Sequence, residues 1–113
     1  MRADPRAAAM AEAELQEAVR KMCCQLGLFH YHPLHSIGSA KGWPDSVIIG
    51  RRILYRELKS QFGRATPEQT EVGYKLRAAG ANWKIWRPSD LLSGLIAAEL
   101  AEVAAVQAEL FSA

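Results

Sequence analysis

The chain has 113 residues, half of them hydrophobic, with 14 basic and 12 acidic side chains. That length suits a single domain over residues 1–113 with a core of its own, and the hydrophobic share excludes a disordered chain. Cys23 and Cys24 are adjacent and fit neither a zinc pair nor a usual disulfide, the first residues lack the apolar core of a signal peptide, and Glu99, Glu102, Gln107 and Glu109 interrupt the apolar C-terminal stretch. The expected setting is therefore a reducing cytoplasm, with no membrane span.

The net charge of +2 is unevenly spread: residues 41–87 carry ten basic and four acidic side chains, residues 88–113 four acidic and no basic ones. A basic middle suits a polyanion, because lysine and arginine release counterions from phosphate. A solvated, unevenly charged surface is the plain alternative.

In chain order, the pattern predicts a helix over residues 5–26, with Leu15, Val19, Met22 and Leu26 forming one apolar stripe. Gly27 fits the left-handed position past its end. Residues 30–42 hold turn and polar residues without a period and read as a loop. Residues 46–49 are β-branched and apolar, as a buried strand should be. Residues 50–52 read as a turn and 53–60 as a second, antiparallel strand. Alternation puts Tyr55, Glu57 and Lys59 on one face and Leu54, Arg56, Leu58 and Ser60 on the other. Thr66, Pro67 and Gln69 make a helix start with cap, first-turn proline and capping box, and Gly80 ends that helix. Residues 82–86 read as a third strand, and strand–helix–strand implies a parallel pair with a right-handed crossover. Ser89 or Asp90 caps a last helix over about residues 89–111. Its Ile96, Leu100, Val103 and Leu110 come close to a heptad seam, which could pack on the domain or on a second chain. The fold class is α/β, a small mixed sheet flanked by helices.

The chemistry concentrates in Gly42-Trp-Pro-Asp45, followed twelve residues later by Glu57-Leu-Lys59. Asp45 opens the first strand, and Glu57 and Lys59 point to one side of its neighbour, so a hairpin clusters two carboxylates and an ammonium. Such carboxylates hold Mg²⁺ or Mn²⁺, hard cations that prefer oxygen. The ion neutralises phosphate charge and acidifies water, and a lysine beside it orients or deprotonates the attacking water. Leu58 keeps its side chain in the core while its backbone carbonyl faces the site as a further ligand. Glu14, at the edge of the apolar stripe, could reach the same place; on spacing alone it is equally an ordinary surface glutamate among Glu12 and Glu17.

The runs Gly42-Trp-Pro-Asp45, Arg56-Glu-Leu-Lys-Ser60, Gly63-Arg64, Pro67-Glu-Gln69, Leu76-Arg-Ala-Ala-Gly80-Ala81 and Trp86-Arg-Pro88 together resemble the VRR-NUC nuclease family of the PD-(D/E)xK superfamily, often a stand-alone domain in phages. The likeness covers residues 14–91. It implies a restriction-endonuclease-like core with a mixed sheet. It implies Asp45 and Glu57 as metal ligands, Glu14 as a helical acid joining them, Lys59 as the catalytic lysine and Gln69 as support for the site or the scissile phosphate. It also implies homodimers cutting branched DNA, including four-way junctions, with Mg²⁺ or Mn²⁺ and no nucleotide cofactor. The family's arginine near Ser39 is missing, and Lys41 stands where it could supply that charge.

His32 and His35 read as DNA-backbone contacts or satisfied loop histidines rather than a zinc site, since His30, His32 and His35 match no standard ligand spacing. Trp43 is placed to shape the site, and Trp83 reads as core. Arg51, Arg52, Arg64 and Lys84 are phosphate-contact candidates. The expected function is metal-dependent DNA endonucleolysis. The alternatives are a DNA-binding or scaffolding module that keeps the fold without turnover, and a nuclease directed at RNA.

Overall fold

A computed structural model describes residues 4–33 and 40–111, with side chains described through Ala104. Among the described residues nine elements follow one another: α1 (Pro5–Ala9), α2 (Glu12–Gln25), β1 (Phe29–Tyr31), β2 (Ser46–Ile49), β3 (Ile53–Leu58), α3 (Pro67–Ala78), β4 (Asn82–Trp86), α4 (Pro88–Leu92) and α5 (Leu95–Phe111). The four strands form one mixed sheet in the order β1-β2-β3-β4. β1 and β3 flank β2 antiparallel, and β4 runs parallel to β3. The expected α/β class, the hairpin and the crossover are all present.

The core lies on one face of the sheet. Leu15, Val19 and Cys23 of α2 and Ile96, Leu100 and Val103 of α5 pack on Ile48, Leu54, Leu58 and Trp86. Burying each large aliphatic chain contributes roughly 1.5–3 kcal/mol, which pins both helices. α3 packs on the other face. There Gly73 lies so close to the Trp83 ring that a Cβ would sit 2.4 Å from it, and the Arg77 guanidinium stacks on the same ring at 5.2 Å.

Several boundaries differ from the sequence expectation, β3 for one ending at Leu58 rather than at residue 60. The first helix is two helices. Asp4 accepts the Arg6 N–H at 2.9 Å to cap α1, and the extended Met10–Ala11 link lets α2 start afresh. The buried stripe of α2 is Leu15, Val19 and Cys23, with Met22 partly buried and Leu26 exposed. Leu15, Val19 and Cys23 recur every four residues and wind slowly around the helix, so the covered face swings from Met22 and Leu26 toward Cys23. Within the stretch read as a loop, β1 pairs with β2 from Phe29↔Ile49 to Tyr31↔Val47. Three residues are too few to show a period, and only its neighbour's hydrogen bonds make it a strand.

The last helix is likewise divided, at Ser93-Gly94. Its first cap is Arg87 rather than Ser89 or Asp90, because Pro88 takes the first helical position and the Asp90 carboxylate accepts the Arg87 N–H at 2.8 Å. Ile96, Leu100 and Val103 serve the domain's own core, so that part of the near-heptad seam packs locally. Among the described residues no helix is long and apolar enough to cross a membrane.

Candidate active site

The entry to β2 is built around a close approach. Gly42, at φ +89°, lies against the start of α3, where a Cβ would come within 2.4 Å of the Glu68 carbonyl. Only glycine fits a backbone that is both left-handed and this crowded. Pro44 follows, fully buried, and delivers Asp45 to the first residue before the strand.

Asp45 is buried and held from both sides. Its Oδ2 accepts the Leu58 N–H of β3 at 2.9 Å, and its backbone carbonyl meets His32 Nδ1 at 2.6 Å. A carbonyl only accepts, so the His32 proton sits on Nδ1. Gln16 Nε2 lies 3.3 Å from the same nitrogen.

Glu57 is fully buried on the face of β3 that looks toward α3. Gln69 reaches it from the third position of α3. The Gln69 side-chain carbonyl is occupied by the Thr66 N–H at 2.8 Å, in a reciprocal capping box. That leaves the Gln69 amide group to donate to Glu57 Oε1 at 2.8 Å. Lys59, just past the strand end, sets Nζ 3.8 Å from the same oxygen. Glu57 Oε2 is buried with no hydrogen-bond partner.

Glu12, in the first turn of α2, supplies a third acid. One carboxylate oxygen from each of Glu12, Asp45 and Glu57 lies within 4.8 Å of the others. Burial, reinforced by the adjoining Asp45 carboxyl and more weakly by Glu12, pushes the Glu57 carboxyl up to about 9, while Lys59 pulls it down. A buried carboxylate oxygen left unpaired beside two more acids is costly unless something positive sits there. The donor set fits a hard divalent cation: oxygen only, anionic and convergent.

No protein-family model matches the chain, and no curated protein matches it significantly. Two solved structures do. One, named "VRR_NUC domain", superposes with a TM-score of 0.61 at 21% identity, over 76% of this chain and 96% of that one. The other, named "VRR_NUC domain protein", does so at 0.59 and 23% identity, over 76% of this chain and 85% of that one. The chain has the fold of a VRR_NUC domain.

Within this VRR_NUC fold, Asp45, Glu57, Lys59 and Gln69 come together, but Glu14 does not. Its exposed side chain folds back on its own helix, with Oε1 3.4 Å from the Ala11 N–H that it accepts. The break at Met10–Ala11 sets the register of α2, so Glu12 is the acid that faces the site. The sequence carries no clear signal of that break, because Ala11 has no side-chain acceptor to cap α2 and only Glu14 reaches back to its N–H. Leu58 buries its side chain as expected and turns its N–H toward Asp45.

The outer residues scatter. His32 lies on the Asp45 backbone, where it positions the acid, and His30 bonds the Ser46 hydroxyl at 3.0 Å. His35 lies outside the described residues. Trp43 meets Tyr55 edge to face at 5.9 Å. Arg51 and Arg52 both pair with Glu102 of α5, Lys41 with Glu68 at 3.5 Å and Lys84 with Glu99 at 3.0 Å. Arg64 is exposed in the loop before α3.

Proposed function

We propose that the chain is a VRR-NUC nuclease of the PD-(D/E)xK type that hydrolyses DNA internally with Mg²⁺ or Mn²⁺. The observation that carries this reading is the convergence of Glu12, Asp45 and Glu57, with the unpaired Glu57 Oε2 among them. The VRR_NUC fold supports it, and so does the basic middle of the chain.

The three acids would hold the ion, and the Leu58 carbonyl would assist. In a strand, the N–H and C=O of one residue point to the same edge, and the Leu58 N–H already faces Asp45. When bound, the ion supplies positive charge at the phosphate and acidifies water. Gln69 fixes the Glu57 carboxylate through one oxygen and leaves the other for the cation. Lys59 holds its ammonium beside that carboxylate, where it orients the attacking water and counters the negative charge that develops on the phosphoryl oxygens. His32 keeps Asp45 in register through its backbone.

The preferred substrate in this reading is branched DNA such as a four-way junction, cut by two chains acting as a pair. The resemblance of the motifs supports both points. Two sites of opposite polarity would suit paired cuts.

The test is cleavage of labelled linear and branched DNA, and of matched RNA, with Mn²⁺ or with EDTA. Nicking of DNA in Mn²⁺, its loss in EDTA and its loss in Asp45→Ala support the reading. DNA binding without cutting under any metal condition would favour a non-catalytic module, and preferential cutting of RNA would redirect the substrate.

A further inference from the structure

The sheet face that carries Glu57 is only half covered. Strand pairing aligns Phe29, Ile49 and Ile53 in one row and Tyr31, Val47 and Tyr55 in the next. Both rows lie on the Glu57 side of the sheet, since Tyr55 and Glu57 are two residues apart on β3. α3 shields the β4 side of this face, where Gly73 meets Trp83 and Gln69 meets Glu57. Among the described residues no helix covers the β1–β2 side: Phe29 is 61% exposed, Tyr31 52%, Ile53 41% and Ile49 40%, while Val47 between them is buried. Trp43 stands beside them, 36% exposed.

Scattered apolar residues on a surface are ordinary, but a contiguous aromatic patch marks an interaction site. This patch runs directly into the acid cluster. Tyr55 lies one row from Glu57, and Trp43 lies two residues from Asp45. Away from the acids it continues into a cleft of about 420 Å³ lined by Arg52, Ile53, Tyr55 and the turn around Gly80. Cations border it: Arg52 in the cleft, paired with Glu102, and Lys41 at the Trp43 end, which meets Glu68 at 3.5 Å but keeps its side chain 83% exposed.

Rings beneath and cations at the border match unpaired nucleotides, whose bases offer π faces and whose phosphates run alongside. A duplex keeps those faces stacked inside. A second copy of the chain is a poorer fit, because about five exposed side chains fall well short of the roughly 20–30 residues per side of a stable interface.

We propose that Phe29, Tyr31, Trp43 and Tyr55 form a stacking platform for unpaired nucleotides of the DNA strand that is cut in the adjoining acid cluster. This rests on the nuclease reading and narrows its substrate to DNA with unpaired bases beside the scissile phosphate.

The test is binding of fluorescein-labelled 20-mer oligothymidine and of a 20-base-pair blunt duplex in EDTA, by anisotropy and by tryptophan emission. Trp83 and Trp86 are buried, so quenching reports Trp43. The platform predicts tighter binding of oligothymidine, with quenching. It predicts that Phe29→Ser/Tyr31→Ser lowers that affinity about tenfold or more and brings the ratio of the two affinities toward one. Tyr31→Trp, which keeps a ring, retains the preference and guards against a variant that merely misfolds. Equal binding of both DNAs overturns the proposal, as does an oligothymidine affinity that the double substitution leaves intact. If sedimentation of that variant instead shows a dimer falling to monomer with the affinity intact, the face belongs to a second copy and the proposal fails. Mn²⁺-dependent cleavage is read separately. Cleavage without strand preference sinks the platform alone, and strand preference without cleavage sinks the nuclease reading alone.

Discussion

Arg56 and Glu57 are neighbours on β3, both fully buried, and they face opposite sides of the sheet. Arg56 is almost completely answered. It donates to the Asn82 carbonyl at 2.7 Å, to Asn82 Oδ1 at 3.0 Å, to the Tyr55 carbonyl at 3.0 Å and to Glu99 at 2.9 Å, and it stacks over Trp86 at 4.9 Å. Only its Nε lacks a partner. Glu99 in turn takes Lys84 at 3.0 Å and the Trp86 indole N–H at 3.3 Å. Burial alone would raise the Glu99 carboxyl; its hydrogen bonds to Lys84 and Arg56 hold it below the ordinary value.

Glu57 has one hydrogen bond, a lysine at 3.8 Å and an oxygen with nothing. The contrast separates two uses of buried charge. Where surrounding groups satisfy it, the charge locks elements together. Where they stop short beside further acids, they leave coordination for a ligand.

That contrast can be broken from either side. On the Glu57 side, Lys59→Met removes the ammonium but no metal ligand. Cleavage in saturating Mn²⁺ should fall by about 10²–10⁴-fold, with metal affinity changed far less; an unchanged single-turnover rate would remove Lys59 from the mechanism. On the Arg56 side, Arg56→Met leaves Glu99 with only Lys84 and the Trp86 indole N–H. The fold should lose about 3–5 kcal/mol in urea titration while the chain that still folds binds Mn²⁺ as before. A loss of metal affinity at full stability would show that the two faces are not separate.

A smaller effect sharpens the comparison. Gln69→Ala deletes the hydrogen bond that orients Glu57, and such outer partners are worth about 10–100-fold in metal affinity or activity. Because Gln69 also closes the Thr66 capping box, Gln69→Glu is the informative control. It keeps the cap but replaces a donor to Glu57 with a like charge, and should bind Mn²⁺ no better than the alanine variant.

The effect smallest per step is a pH slope, spread over several pH units. The Glu57 carboxyl titrates near 9 in the fold and near 4.3 in an unfolded chain. Between those values the native state binds the extra proton, so stability falls as pH rises, by at most about 1.4 kcal/mol per unit. Thermal melts in EDTA from pH 5 to 9 should show this slope, and Glu57→Gln should flatten it. Mn²⁺ should raise the melting temperature more at pH 8 than at pH 5, because the ion competes with that proton. A Mn²⁺ effect that is equal at both values would separate Glu57 from the metal.

Much of this arrangement is legible in the residues. The capping box of Thr66 and Gln69, the strand over residues 82–86 and the placing of Tyr55 and Glu57 opposite Leu54 and Leu58 follow from periods and caps, which are local. What escapes is set by contacts distant in the chain. β1 has three residues and becomes a strand only by pairing with β2. The seam of Ile96, Leu100 and Val103 reads alike for a neighbour in the same chain or another, until Leu15 and Val19 are seen against it. Glu12 and Glu14 sit in one helical turn, and only the break at Met10–Ala11 decides which of them meets Asp45. His32 is the satisfied loop histidine that the sequence allows, but its partner, a backbone carbonyl thirteen residues away, is hidden for the same reason.

The claim that Glu12, Asp45 and Glu57 grip one divalent ion is met most directly by calorimetric titration of Mn²⁺ into the wild-type chain, Glu57→Gln, Glu12→Gln and Glu14→Gln. The account predicts one ion per chain, binding lost in Glu57→Gln, weakened in Glu12→Gln and unaltered in Glu14→Gln. No Mn²⁺ binding by the wild type, or a loss in Glu14→Gln with Glu12→Gln unaffected, would contradict it.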